Sequence, residues 1–73
     1  MTTTAHDLAA TIRHEHNVTA DLATEAVENY AALVEDLDGR EINRDAIDDL
    51  DAGFILMAFA VAQHTRDREA AAN

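Results

Sequence analysis

Apolar residues recur at three- and four-residue spacings along almost the whole chain, and strand-like alternation is absent. That periodicity predicts an all-α fold. A first helix is expected over residues 5–16, capped by Thr4, with Asp7 in the reciprocal capping position. Its apolar stripe is thin: Ala5, Leu8, Ala9 and Ile12. Arg13, His14 and His16 suit its C-terminal dipole, and Asn17 is a fair left-handed stop with Val18 tucked behind it. A second helix is expected over residues 20–37, capped by Thr19. Leu22, Ala26, Tyr30, Leu33 and Leu37 fall within about 80° of one another on its wheel, which makes them the expected buried face. Asp38-Gly39 ends it, because glycine accepts the left-handed conformation cheaply.

The third helix is expected over residues 44–68, capped by Asn43 with Ile42 and Ile47 as a hydrophobic staple. It holds the run Gly53-Phe54-Ile55-Leu56-Met57-Ala58-Phe59-Ala60-Val61-Ala62, ten residues without a polar side chain. Ile47, Leu50, Phe54, Ala58 and Val61 form one stripe, with Met57 at its edge. Ile55, Phe59 and Ala62 form a second, about 120° away. Asp51 and Gly53 mark a break or kink: Asp51 lies close to the first stripe in an unbroken helix, and Gly53 is about 1 kcal/mol worse than Ala inside one. Residues 69–73 read as a frayed tail. The architecture implied is a single three-helix domain over residues 1–73: an antiparallel hairpin of the second and third helices, with the shorter first helix folded back on it.

Two partner helices do not easily cover both stripes of the third. The run is therefore expected to hide against another polypeptide, most simply a second copy in a homodimer. Phe54, Ile55, Met57, Phe59 and Ala62 are the expected contact residues.

Composition narrows the chemistry. The 73 residues carry a formal net charge of −10, with five Arg as the only Lys or Arg residues and no Ser, Cys, Pro or Trp. Without Ser, Cys or Lys most covalent catalysis is out of reach, and no catalytic residue or cofactor is expected. So acidic a chain is a poor ligand for nucleic acid or an anionic membrane. The apolar run is too short to span a bilayer, and the start "MTTTAHD" has no signal-peptide character. A cytoplasmic protein is expected. Arg without Lys, beside abundant Ala, Asp and Thr, fits a high-GC genome such as that of an actinobacterium or its phages, or of a salt-loving archaeon.

Residues 35–51 hold eight acids against Arg40 and Arg44, net −6. Glu35, Asp36, Asp38, Glu41, Asp45, Asp48 and Asp49 are the expected acidic surface, able to steer the chain towards a basic partner. Mimicry of DNA phosphates is the alternative use of such a surface. The segment also resembles part of an EF-hand loop, with Asp36, Asp38 and Gly39 in register, but Val34 occupies the first ligand position. His6, His14 and His16 fan around the first helix, and His64 has only Asp67 near it, so no metal site is expected. Glu25-x-x-Glu28 and Asp45-x-x-Asp48 are carboxylate pairs at helical spacing. In those two spacings alone the chain resembles all-α nucleotide pyrophosphohydrolases of the MazG type, which would imply Mg²⁺ held over a diphosphate. The leading expectation is instead a non-enzymatic module, encoded by a phage or plasmid, that docks on a host protein through the third helix.

Overall fold

The computed structural model describes residues 1–72. Three helices carry the fold: α1 (Ala5–His16), α2 (Ala20–Asp38) and α3 (Asp49–Ala72). Thr4 Oγ1 accepts the Asp7 N–H at 3.0 Å and Thr19 Oγ1 accepts the Leu22 N–H at 3.2 Å, so the first two helices start on capping threonines. Both end on left-handed residues, Asn17 (φ 54°) and Gly39 (φ 66°), whose N–H groups close back onto the carbonyls of Arg13 and Glu35. The fold is all-α with one small addition. Strand β1 (Thr2–Thr3) pairs antiparallel with β2 (Ile47–Asp48), Thr2 opposite Asp48 and Thr3 opposite Ile47.

That pairing changes the start of α3. Residues 44–48 are not helical, contrary to the expected span of 44–68. Asn43 caps no helix; its Oδ1 accepts the Asp45 N–H at 2.9 Å within a turn closed by Ala46 N–H to Asn43 O. Asp48 starts α3 instead, its Oδ1 accepting the Leu50 N–H at 2.9 Å. Ile47 is buried in the strand pair rather than stapled to Ile42. The chain's N-terminus competes successfully for this segment: the Ala5 N–H donates to Arg44 O at 2.8 Å, and the Met1 amine lies 3.5 Å from Asp49. From Asp49, α3 is helical through Asp51 and Gly53 and on to Ala72, past the expected end at residue 68. Asn73, the last residue of the expected frayed tail, lies outside the described residues.

The core lies between the three helices and under β2. Leu8, Ala9 and Ile12 come from α1, Ile42 and Ile47 from the connection, and Ala52, Ile55 and Phe59 from α3. The buried face of α2 is Ala23, Ala26, Val27, Ala31 and Val34. It is rotated from the expected stripe, leaving Leu22, Leu33 and Leu37 at or outside its edge. Alanines let α1 approach α2 closely, and the larger leucines are displaced to the rim. His16 closes the far end of the core, packing edge-on against Phe59 with ring centroids 4.9 Å apart.

Candidate functional site

The segment between α2 and α3 is fixed by two arginines. Arg44 reaches back to α2: Nε donates to both carboxylate oxygens of Glu28 (3.1 and 3.3 Å), and Nη1 and Nη2 donate to Glu35 (3.2 and 3.1 Å). Nη1 also donates to the Ile42 carbonyl at 2.7 Å, while the Ile42 N–H donates to Glu35 Oε2 at 2.8 Å. Glu35 is thereby held below its ordinary pKa, first by the Arg44 guanidinium and then by the Ile42 N–H. Arg44 is raised in return, chiefly by Glu35. Arg40 Nη2 lies 2.8 and 3.0 Å from the two oxygens of the buried Asp51 carboxylate and 3.2 Å from Asp38. Its pKa is raised, chiefly by Asp51. Asp51, which the sequence pattern leaves as a misfit on the third helix, is thus a paired anion pinning the first turn of α3.

These clamps set the end of α2 beside the start of α3 and leave an apolar groove of about 500 Å³ between them. Val34, Leu37, Leu50, Phe54 and Met57 line it, and Asp38, Asp49 and Asp51 stand at its edge. Leu37 is 71% exposed, Leu50 80%, Met57 59% and, one turn further along α3, Val61 60%. Large apolar side chains so open, and adjacent, mark an interaction surface more often than a bare exterior.

The expected contact residues are split by this arrangement. Met57 is exposed and Phe54 half-buried in the groove. Ile55 (0% exposed) and Phe59 (3%) are buried in the chain's own core. Ala62 is half-buried on the other side, by a second hollow of about 230 Å³ lined by Tyr30, Phe59 and Arg66 among others. Of the two stripes on the third helix, the one with Ile55 and Phe59 faces inward. The one with Leu50, Phe54 and Val61 faces outward. Leu37 and Leu50 belong to the surface and were not among the expected contacts. The first-stripe pattern already contained Leu50; nothing in the spacing said which stripe the core would take.

Of the expected acidic surface, Asp36, Glu41, Asp45, Asp48 and Asp49 are exposed near the same end of the α2–α3 pair. Asp38 is shared with Arg40, and Glu35 is half-buried in the Arg44 clamp. The EF-hand likeness dissolves into the α2 terminus, with Gly39 as its left-handed stop. The paired-carboxylate likeness also loses its geometry. Glu28 is held by Arg44, Asp45 lies in a turn and Asp48 in β2, so the second pair shares no helix face. Among the described residues no three His, Asp or Glu side chains converge as metal ligands, and no helix is long and apolar enough to cross a membrane. Compared with known protein families, curated proteins and solved structures, the chain matches none.

Proposed function

We propose that this chain is a small non-enzymatic interaction module of the cytoplasm. Its outward α3 stripe and the adjoining end of α2 seat against another polypeptide, and the acids of residues 35–51 steer the encounter towards basic surface. One observation carries the reading: the exposed apolar side chains of Leu37, Leu50 and Met57 around half-buried Phe54 in one groove, with exposed Val61 one turn further along α3, beside an acidic edge. Burial of such a surface supplies the affinity, and the acids supply rate and selectivity. A regulatory role, exerted by occupying a host protein rather than by turnover, suits a chain with this alphabet.

Mimicry of nucleic-acid phosphates fits less well. Arg40 and Arg44 stand among the acids and hold Glu28, Glu35, Asp38 and Asp51, which interrupts any phosphate-like row. The test is retention of polypeptide on the immobilised chain in the presence of host lysate and free untagged copies. Retention that survives 0.5 M salt and is lost in Met57→Glu is expected. Equal retention by Met57→Glu, or none by either, contradicts the reading; retention that salt abolishes and Met57→Glu keeps points to phosphate mimicry.

A further inference from the structure

The start of α3 is specified twice. Asp48 is the cap in use, its Oδ1 accepting the Leu50 N–H at 2.9 Å. Asn43 is an equally good cap five residues earlier, with Ile42 and Ile47 at the two staple positions around it. That earlier signal is partly obeyed. Asn43 Oδ1 accepts the Asp45 N–H at 2.9 Å, the bond a cap makes to the second residue of its helix. Asn43 O accepts the Ala46 N–H at 3.1 Å, a tight turn of the kind that opens many helices. One helical turn is begun at Asn43 and stopped at Ala46.

What stops it is fastened to Arg44. In a helix begun at Asn43, the Arg44 carbonyl would accept the Asp48 N–H. Here it accepts the Ala5 N–H at 2.8 Å instead, and Ile47 and Asp48 are drawn out as β2 against Thr3 and Thr2. The Arg44 guanidinium is held as well, by Glu28 and Glu35. Each of these holds is slight. Strand β1 is two residues long, with Thr2 exposed and Thr3 half-buried, and so short a strand pair has little stability of its own. Glu28 is exposed and Glu35 and Arg44 are half-buried, so solvent weakens their ion pairs.

Release strands few groups. The Ala5 N–H belongs to the first turn of α1, where amides have no helical partner in any case. Ile47 is the buried residue that must be rehoused, and the staple against buried Ile42 gives it a place. We infer that α3 has two alternative starts and that Arg44 is the latch between them. With β1 in place the helix begins at Asp49; with β1 released, residues 44–48 join it and lengthen it by about 7.5 Å. Two arrangements separated by so few bonds make a bistable element. Release also gathers Asp45, Asp48 and Asp49, now in a turn, a strand and a helix, at positions i, i+3 and i+4 of one helix face. The latch thereby governs how the acids beside the groove are presented, a consequence that rests on the proposed reading of that surface; the two starts do not.

Carbon-13 Cα shifts of residues 44–48 in the full chain test it. In the wild type Ile47 and Asp48 are expected on the extended side of random coil. In Thr2→Pro/Thr3→Pro, which takes two N–H groups from the strap, residues 44–48 are expected to move to helical values while α1 and α2 keep theirs. Adding Asn43→Ala, which removes the earlier cap, is expected to cancel most of that move. Should the double proline variant lose α1, Thr3→Gly weakens the strap more gently and is read in the same way. Helical values in the wild type overturn the latch. Non-helical values at 44–48 in a strap variant with native α1 and α2 overturn the second start, and so does a helical move that Asn43→Ala leaves whole. Equal retention of lysate polypeptide by the wild type and a released variant overturns the link to the surface alone, whereas retention by neither removes the proposed function and leaves the two starts standing.

Discussion

The two faces of α3 have similar oiliness and opposite fates. On the inner face Ile55 and Phe59 are closed off by α1 and α2. On the outer face Leu50, Met57 and Val61 stand in solvent, a third of a turn or more away on the same helix. Hydrophobicity alone does not decide which face a small domain buries. The faces that the partners offer matter too: the buried residues of α2 are small (Ala23, Ala26, Val27, Ala31 and Val34), and Ala9 is buried on α1.

The sharpest way to break that comparison is to damage the inner face. Ile55→Ala is expected to cost about 2–5 kcal/mol, against a total of roughly 4–11 kcal/mol for a domain of this length. Urea unfolding followed by circular dichroism should show most of the transition gone. An outer-face change of the same size, Leu50→Ala, measured at concentrations where the chain is monomeric, should move stability by no more than about 0.5 kcal/mol. Equal losses at the two positions would erase the distinction between the faces.

The next effect concerns Asp51, the only buried charged side chain among the described residues. Arg40→Met removes its partner and leaves a carboxylate in the core edge without compensation, which is more damaging than losing both charges. The melting temperature should fall clearly, and Arg40→Met/Asp51→Leu should recover part of the loss. Arg66→Met, at an arginine with no ion pair among the described residues, should leave it nearly unchanged.

A smaller effect follows from Glu35. Its folded pKa lies below the ordinary 4.5 because Arg44 and the Ile42 N–H favour the carboxylate. A depressed folded pKa contributes stability that is fully present above about pH 4.5 and is lost as pH falls through the folded value. Thermal midpoints should therefore hold from pH 7 to 5 and decline below about 4.5. Glu35→Gln should be less stable at pH 7 and should decline less. A decline of the same depth in both proteins would remove the Arg44 clamp from the account.

The smallest expected effect is a gain. Gly53→Ala meets open space in the single chain and should stabilise the monomer by up to about 1 kcal/mol. Gly53 also lines the α2–α3 groove, so the same change should weaken docking on the proposed surface. Chain stability and partner retention should move in opposite directions.

Much of this fold was legible in the residues, and the limits have physical causes. Thr4, Thr19, Asn17 and Gly39 announced the helix ends because capping chemistry is local. The start of α3 was not legible, because it depends on Thr2 and Thr3 pairing with Ile47 and Asp48, some 45 residues away in sequence. Local propensity at Asn43 was overridden by that pairing and by the Ala5 bond to Arg44. The α2 face was misjudged for a different reason. Leucines weigh more than alanines on a helical wheel, yet close helix packing rewards the alanines. The surface followed the same pattern. The surplus of apolar circumference on α3 was visible, but the choice of inner stripe was not: Asp51 is buried beside Arg40 on the same side of the helix as Ile55, one turn on, a pairing across 11 residues that periodicity does not register.

The most direct measurement is amide hydrogen exchange along α3 at a series of protein concentrations, resolved by residue, in the wild type and in Met57→Glu. Cover by a second polypeptide chain predicts that protection of residues 60–71 rises with concentration in the wild type and stays low in the variant, while Ile55 and Phe59 are protected in both. Protection of residues 60–71 that is the same at every concentration and in both proteins would contradict it.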